Sequence, residues 1–134
     1  MKKTLLLALL LASAATAAHA MDPVYPKANV VYTCTWTKPG GASGKSFLTY
    51  FNLSGDMYSE TGTVRNVFPD GTFNDKPVSM TWDWTVDEPG SSAFTYVTTQ
   101  DSTHTITCRL KTFNSGNSLQ FDLCSNLVHQ TCSL

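Results

Sequence analysis

Between residues 78 and 87, Val78, Met80, Trp82, Trp84 and Val86 alternate without a break with Ser79, Thr81, Asp83, Thr85 and Asp87. A two-residue period of this kind belongs to an extended strand that buries one face and wets the other. The same rhythm recurs along the chain. Val30, Tyr32, Cys34 and Trp36 alternate with Val31, Thr33, Thr35 and Thr37; His104, Ile106, Cys108 and Leu110 alternate with Thr105, Thr107, Arg109 and Lys111. Leu119, Phe121 and Leu123 enclose Gln120 and Asp122 in the same way. Further strands are expected near residues 46–53, 57–68 and 94–99, with a tail strand near 127–132.

Turn residues separate these runs: Pro39-Gly40-Gly41, Ser54-Gly55-Asp56, Pro69-Asp70-Gly71, Glu88-Pro89-Gly90 and Asn114-Ser115-Gly116-Asn117. No run carries a helical period, and no repeat or linker divides the chain. The pattern predicts one all-β domain, an antiparallel barrel or sandwich of seven or eight strands.

The first twenty residues have a different character. Met1-Lys2-Lys3 is basic, residues 5–12 are all Leu and Ala, and Ala18-His19-Ala20 satisfies the small-x-small rule for cleavage. This is the pattern of a bacterial secretory signal peptide cleaved after Ala20, leaving an exported β domain over residues 21–134. The apolar run is too short for a membrane span. The expected location is the periplasm or the exterior. Without the leader, the remaining 114 residues carry 7 basic and 10 acidic side chains, a net charge of −3. That balance offers no basic footprint for nucleic acid.

All four cysteines, Cys34, Cys108, Cys124 and Cys132, lie in the exported part. An even number in such a domain predicts two disulfides, with three possible connectivities. Cys34 and Cys108 both fall on expected core faces, which favours joining them and leaves Cys124 and Cys132 to close a short C-terminal loop; the other two pairings stay open. There is no Cys-x-x-Cys, and His104 and His129 have no ligand spacing, so no metal or other cofactor is expected.

Catalytic patterns are equally thin. Asp70, Asp75, Asp83, Asp87 and Glu88 fall in turns or on the expected wet face, where nothing opposes two carboxylates across a cleft. No Gly-x-Ser-x-Gly elbow or phosphate loop is present. The Asp70-to-Asp75 stretch lacks EF-hand spacing and reads as a turn, and Asn52-Leu53-Ser54 is a glycosylation sequon in a chain with a bacterial leader. The expected function is therefore non-enzymatic. Trp36, Trp82 and Trp84 fall on buried faces, where their rings fill a core or line a ligand pocket inside a small barrel.

Two stretches carry resemblances. Val31-Tyr32-Thr33-Cys34, followed by Lys45-Ser46-Phe47-Leu48-Thr49-Tyr50-Phe51-Asn52, resembles the first hairpin of the periplasmic and membrane-bound inhibitors of c-type lysozyme, which are small exported β-barrels. Ser54-Gly55-Asp56-Met57-Tyr58 has the form of their Ser-Gly-x-x-Tyr signature, whose loop enters the enzyme's active site. The resemblance implies that Ser54 and Tyr58 meet the catalytic carboxylates of a partner lysozyme. From pattern alone the same five residues are a hairpin turn leading into a strand. More loosely, Pro69-Asp70-Gly71-Thr72-Phe73 followed by Trp82-Asp83-Trp84-Thr85-Val86 is similar to small bacterial lipocalin-like barrels.

Three uses of the domain follow. One is a binding protein that places Ser54, Asp56 and Tyr58 in the cleft of a protein partner outside the cytoplasm, with inhibition of a cell-wall hydrolase as its specific form. Another is a small-molecule carrier with its pocket near Trp36, Trp82 and Trp84; a structural surface domain is the third.

Overall fold

A computed structural model describes residues 22–134, apart from the side chains of residues 85–87. The expected leader lies outside the described residues. The strands are β1 (Tyr32–Thr37), β2 (Ser43–Gly55), β3 (Ser59–Val67), β4 (Phe73–Glu88), β5 (Ser91–Thr99), β6 (Thr105–Phe113), β7 (Ser118–Asp122) and β8 (His129–Ser133). Each pairs with its sequence neighbour, and β1 also pairs antiparallel with β8, so the sheet closes into an eight-stranded up-and-down barrel. The barrel, rather than the sandwich, is the architecture adopted. Closure pairs every strand on both sides and leaves no edge exposed.

The alternation read from the sequence sorts inside from outside. Tyr32, Tyr50, Met80, Phe94, Leu110 and Leu119 are all fully buried and fill the interior. Intervening positions such as Thr33, Thr35, Thr81 and Thr95 are exposed. Along β4 the buried residues are Val78, Met80 and Trp82, but Trp84, expected on the same buried face, is 58% exposed. The β4–β5 register slips between Asp83 and Asp87, so the strand runs past the enclosed part of the barrel. Leu123 departs from expectation for a related reason: β7 ends at Asp122, Leu123 takes a positive φ of 51°, and its side chain is 80% exposed.

The disulfides correct the favoured pairing. They join Cys34 to Cys132 and Cys108 to Cys124. Cys34 on β1 and Cys132 on β8 are direct cross-strand partners with Cα atoms 4.1 Å apart, so this bridge locks the seam where the first strand meets the last. Cys108 sits on β6, which is not a neighbour of β1, so sharing the core face did not bring it beside Cys34. Its partner, Cys124, lies in the loop just after β7, the strand next to β6. Two disulfides suit an oxidising, extracytoplasmic environment. No helix among the described residues is long and apolar enough to cross a membrane.

Candidate functional site

The two ends of the barrel differ. The β2–β3, β4–β5 and β6–β7 turns share one end with the segment preceding β1. That segment folds across the opening. Val24 N–H donates to Ser92 Oγ (2.9 Å), Thr112 Oγ1 donates to the Val24 carbonyl (2.7 Å), and Lys27 N–H donates to the Tyr32 hydroxyl (2.8 Å). Pro26 is buried, and the Tyr25 ring packs on Phe94 with centroids 4.8 Å apart. Thr112 and Ser92 are fully buried strand residues that would lack partners without the arm or each other; Thr112 Oγ1 also accepts from Ser92 N–H at 3.0 Å. Gly116 passes so close that a Cβ there would lie 2.9 Å from the Tyr25 carbonyl oxygen, and its φ of +88° also favours glycine.

The other end, where the β1–β2, β3–β4, β5–β6 and β7–β8 turns lie, is open. It leads into a cavity of about 230 Å³. Leu48, Val64, Tyr96 and Phe121 line it, with Ile106, Val128 and the Cys108–Cys124 bridge; Trp36, Lys38, Asn66, Phe68, Lys76, Thr98, Gln100, Asn126 and Gln130 complete the wall. Tyr96 is braced edge-on by Phe121 at 5.0 Å and by Tyr50 at 6.4 Å, and the Tyr50 and Tyr96 hydroxyls are 3.4 Å apart. Burial raises the pKa of both phenols, so they stay neutral. Trp36 lies against β2 because residue 44 is glycine: a Cβ there would come within 2.4 Å of the indole. Lys38 sits over that indole, its Nζ 5.6 Å from the ring centroid.

Of the three tryptophans expected near one pocket, Trp36 lines the cavity, whereas Trp82 and Trp84 lie toward the opposite, arm-covered end. Trp82 is buried there, and Trp84 stacks over it with centroids 3.6 Å apart. The three rings therefore do not share a pocket. Lys76, Asn66, Gln100 and Gln130 were not singled out from the sequence, although a signal was present. Lys76 is in phase with Val78, Met80 and Trp82, and Asn66 is in phase with Val64; polar residues that continue an apolar phase face inward where the barrel opens.

Ser54, Asp56 and Tyr58 lie at the β2–β3 turn and are all exposed. Asp56 accepts hydrogen bonds from the Tyr58 and Ser59 backbone N–H groups at 2.8 and 2.9 Å, which hold its carboxyl below the usual carboxylate pKa. A Cβ at Gly55 would lie 2.0 Å from the Ser59 carbonyl oxygen, so this hairpin closes only around glycine. The Tyr58 ring is 5.5 Å from that of Trp84, and beside them Met57 is 56% exposed. This hairpin and the cavity are at opposite ends of the molecule. No group of three or more His, Cys, Asp or Glu side chains able to hold a metal occurs among the described residues.

The chain is similar in fold to the solved structure of a redesigned beta barrel, with a TM-score of 0.52 and 14% sequence identity over 78% of this chain and 88% of that one. At that identity the likeness concerns the barrel alone. No family model matches the chain, and no curated protein matches it.

Proposed function

We propose that the protein is a periplasmic or secreted binding barrel that takes the apolar part of a small molecule into its open end. The observation that carries this reading is the cavity of about 230 Å³, open to solvent at one end, apolar in its depth, and separated by packed aromatics from an end that the arm covers. A cavity of this size has room for the body of a small apolar ligand. Burying about six methylene groups at ~0.8 kcal/mol each gives ~5 kcal/mol, hence a Kd on the order of 0.1–1 mM for a simple alkyl chain. Titration of the disulfide-intact protein with 1-octanol, followed by backbone amide NMR, tests the reading. Shifts are expected at Leu48, Val64, Ile106 and Phe121 and not at residues 55–58. Absence of shifts up to the solubility limit overturns it.

A second reading has its own support. Met57 and Tyr58, on the hairpin that carries Ser54 and Asp56, form an exposed cluster with Trp84 of β4, in keeping with docking to a protein partner such as a c-type lysozyme. The net charge of −3 in the exported part would attract a basic enzyme. This reading requires that the protein slow lysozyme turnover and that Tyr58→Ala abolish the effect; unchanged turnover removes it.

A further inference from the structure

We infer that the small molecule taken into the open end is an anionic amphiphile, a short alkyl chain ending in a carboxylate or a similar head group, with Lys76 as the residue that reads its charge. This inference rests on the binding-barrel reading and narrows its ligand class.

The cavity wall mixes the two chemistries. Leu48, Val64, Tyr96, Ile106 and Phe121 make it largely apolar, while Asn126 and Gln130 lie on its β7–β8 side and Asn66, Lys76, Thr98 and Gln100 on the side made by β3, β4 and β5. Register keeps this last group together: Lys76 is opposite Val64 across the β3–β4 ladder, two residues from Asn66, and Val78, the next inward residue of β4, is opposite Thr98. A ligand matching this wall is apolar along its length and polar at the end beside Lys76.

The polar side has unused capacity. Thr98 Oγ1 and Asn66 Oδ1 are buried and have no hydrogen-bond partner among the described residues. A buried polar atom left in that condition costs free energy until something satisfies it. The threonine hydroxyl can donate to an anion, whereas Asn66 Oδ1 only accepts and needs a donor. Lys76 is half-buried, and no described carboxylate pairs with it. Burial without a counter-charge holds its ammonium below the usual lysine pKa. An incoming anion would supply the missing charge.

The sign of the cavity is unopposed. Lys38 and Lys76 are its charged lining residues, and no Asp or Glu lines it among the described residues. The nearby acids face elsewhere. Asp75 lies on the outer face, paired to Arg65 at 2.8 Å, while Asp70 and Asp101 cap their own turns through Thr72 and through Thr103 and His104. A cationic or strictly neutral ligand would leave Lys76 uncompensated, whereas an anion pairs with Lys76 and accepts from the Thr98 hydroxyl together.

Calorimetric titration at pH 7 with octanoate, 1-octanol and octyltrimethylammonium, with phosphatidylglycerol vesicles as a separate arm, tests this. Octanoate is expected to bind at least tenfold more tightly than octanol, and the cation more weakly than either. Lys76→Met should bring octanoate down to the affinity that octanol shows for the same variant; Lys76→Arg should keep most of the preference. Equal binding of octanoate and octanol, or a preference that survives Lys76→Met, overturns the anion assignment and leaves the binding barrel standing. Association with vesicles in the absence of octanoate binding also overturns it, because the charge would then be read at a membrane surface. If none of the three alkyl compounds binds, the binding-barrel reading itself fails.

Discussion

The two ends of this barrel are built from the same strands but finished differently. At the arm-covered end, Phe94 is fully buried beneath Tyr25, and Thr112 ties the arm to the wall through the Val24 carbonyl. At the open end, Ile106 and Phe121 face a cavity of about 230 Å³, and the polar side chains Asn66, Lys76 and Thr98 extend the inward phase of their strands. The comparison teaches that interior phase alone does not make a core. An inward position becomes core only where something closes over it; where nothing does, the same position becomes the wall of a cup.

The largest effect expected concerns the seam that both ends share. Cys34→Ser with Cys132→Ser opens a bridge spanning 98 residues and should destabilise by about 4–5 kcal/mol, whereas opening the Cys108–Cys124 bridge, spanning 16, should cost about 3 kcal/mol. Urea denaturation of the two double mutants would reveal this order, and equal losses would contradict it.

Next come substitutions that set one end against the other. Phe94→Ala should cost about 3–5 kcal/mol because it excavates a packed site under the arm. Ile106→Ala should cost about 1 kcal/mol, because its side chain is only partly buried beside existing space. Similar losses by thermal or chemical denaturation would mean that the open end is as tightly packed as the other. Thr112→Val keeps the shape but strips the hydrogen bonds to Val24 and Ser92, for a loss of about 1–3 kcal/mol.

The smallest effects are electrostatic and opposite in sign. Glu60 is on β3, and one of its carboxyl oxygens is buried without a partner; burial raises its pKa above the ordinary 4.5. Its contribution favours folding at pH values below that ordinary value and is lost as pH rises through the raised folded value. Glu60→Gln should therefore raise stability slightly at pH 7 and give no gain at pH 4. A gain of the same size at both pH values would refute the cause. Asp101, in the β5–β6 turn at the open end, is held down to about 2 by the Thr103 backbone N–H, then by His104 and the Thr103 hydroxyl. Its contribution is present above the ordinary carboxylate value of 3.8 and is lost as pH falls through about 2. Asp101→Asn should blunt acid loosening of that turn between pH 4 and 2, as read from local amide exchange.

Much of the fold was legible because strand alternation is local. The phases of β1, β4 and β6 can be read directly from Tyr32-Cys34-Trp36, Val78-Met80-Trp82 and Cys108-Leu110, and the turn residues mark where strands stop. Leu123 and Trp84 escaped because each lies where pairing ends or slips, and a residue's phase loses its meaning there. The cavity was partly legible: Trp36 was singled out, whereas Lys76 and Asn66 were passed over as polar residues although they continue an apolar phase. Ser54-Gly55-Asp56 was legible as a turn, but the Trp84 ring beside Tyr58 comes from a distant strand.

By itself, the sequence determined an all-β chain, an even set of four cysteines and the inward or outward sense of most strand residues. All of these depend on composition or on neighbours one or two positions away. Only the tertiary structure decided that Cys34 meets Cys132, that Trp36 is separated from Trp82 and Trp84, and that one end is covered while the other opens. Those outcomes depend on which strands become neighbours when β1 closes on β8 and on where the arm comes to rest. Both are contacts between residues far apart in the chain, and alternation carries the phase of each strand without specifying its partner.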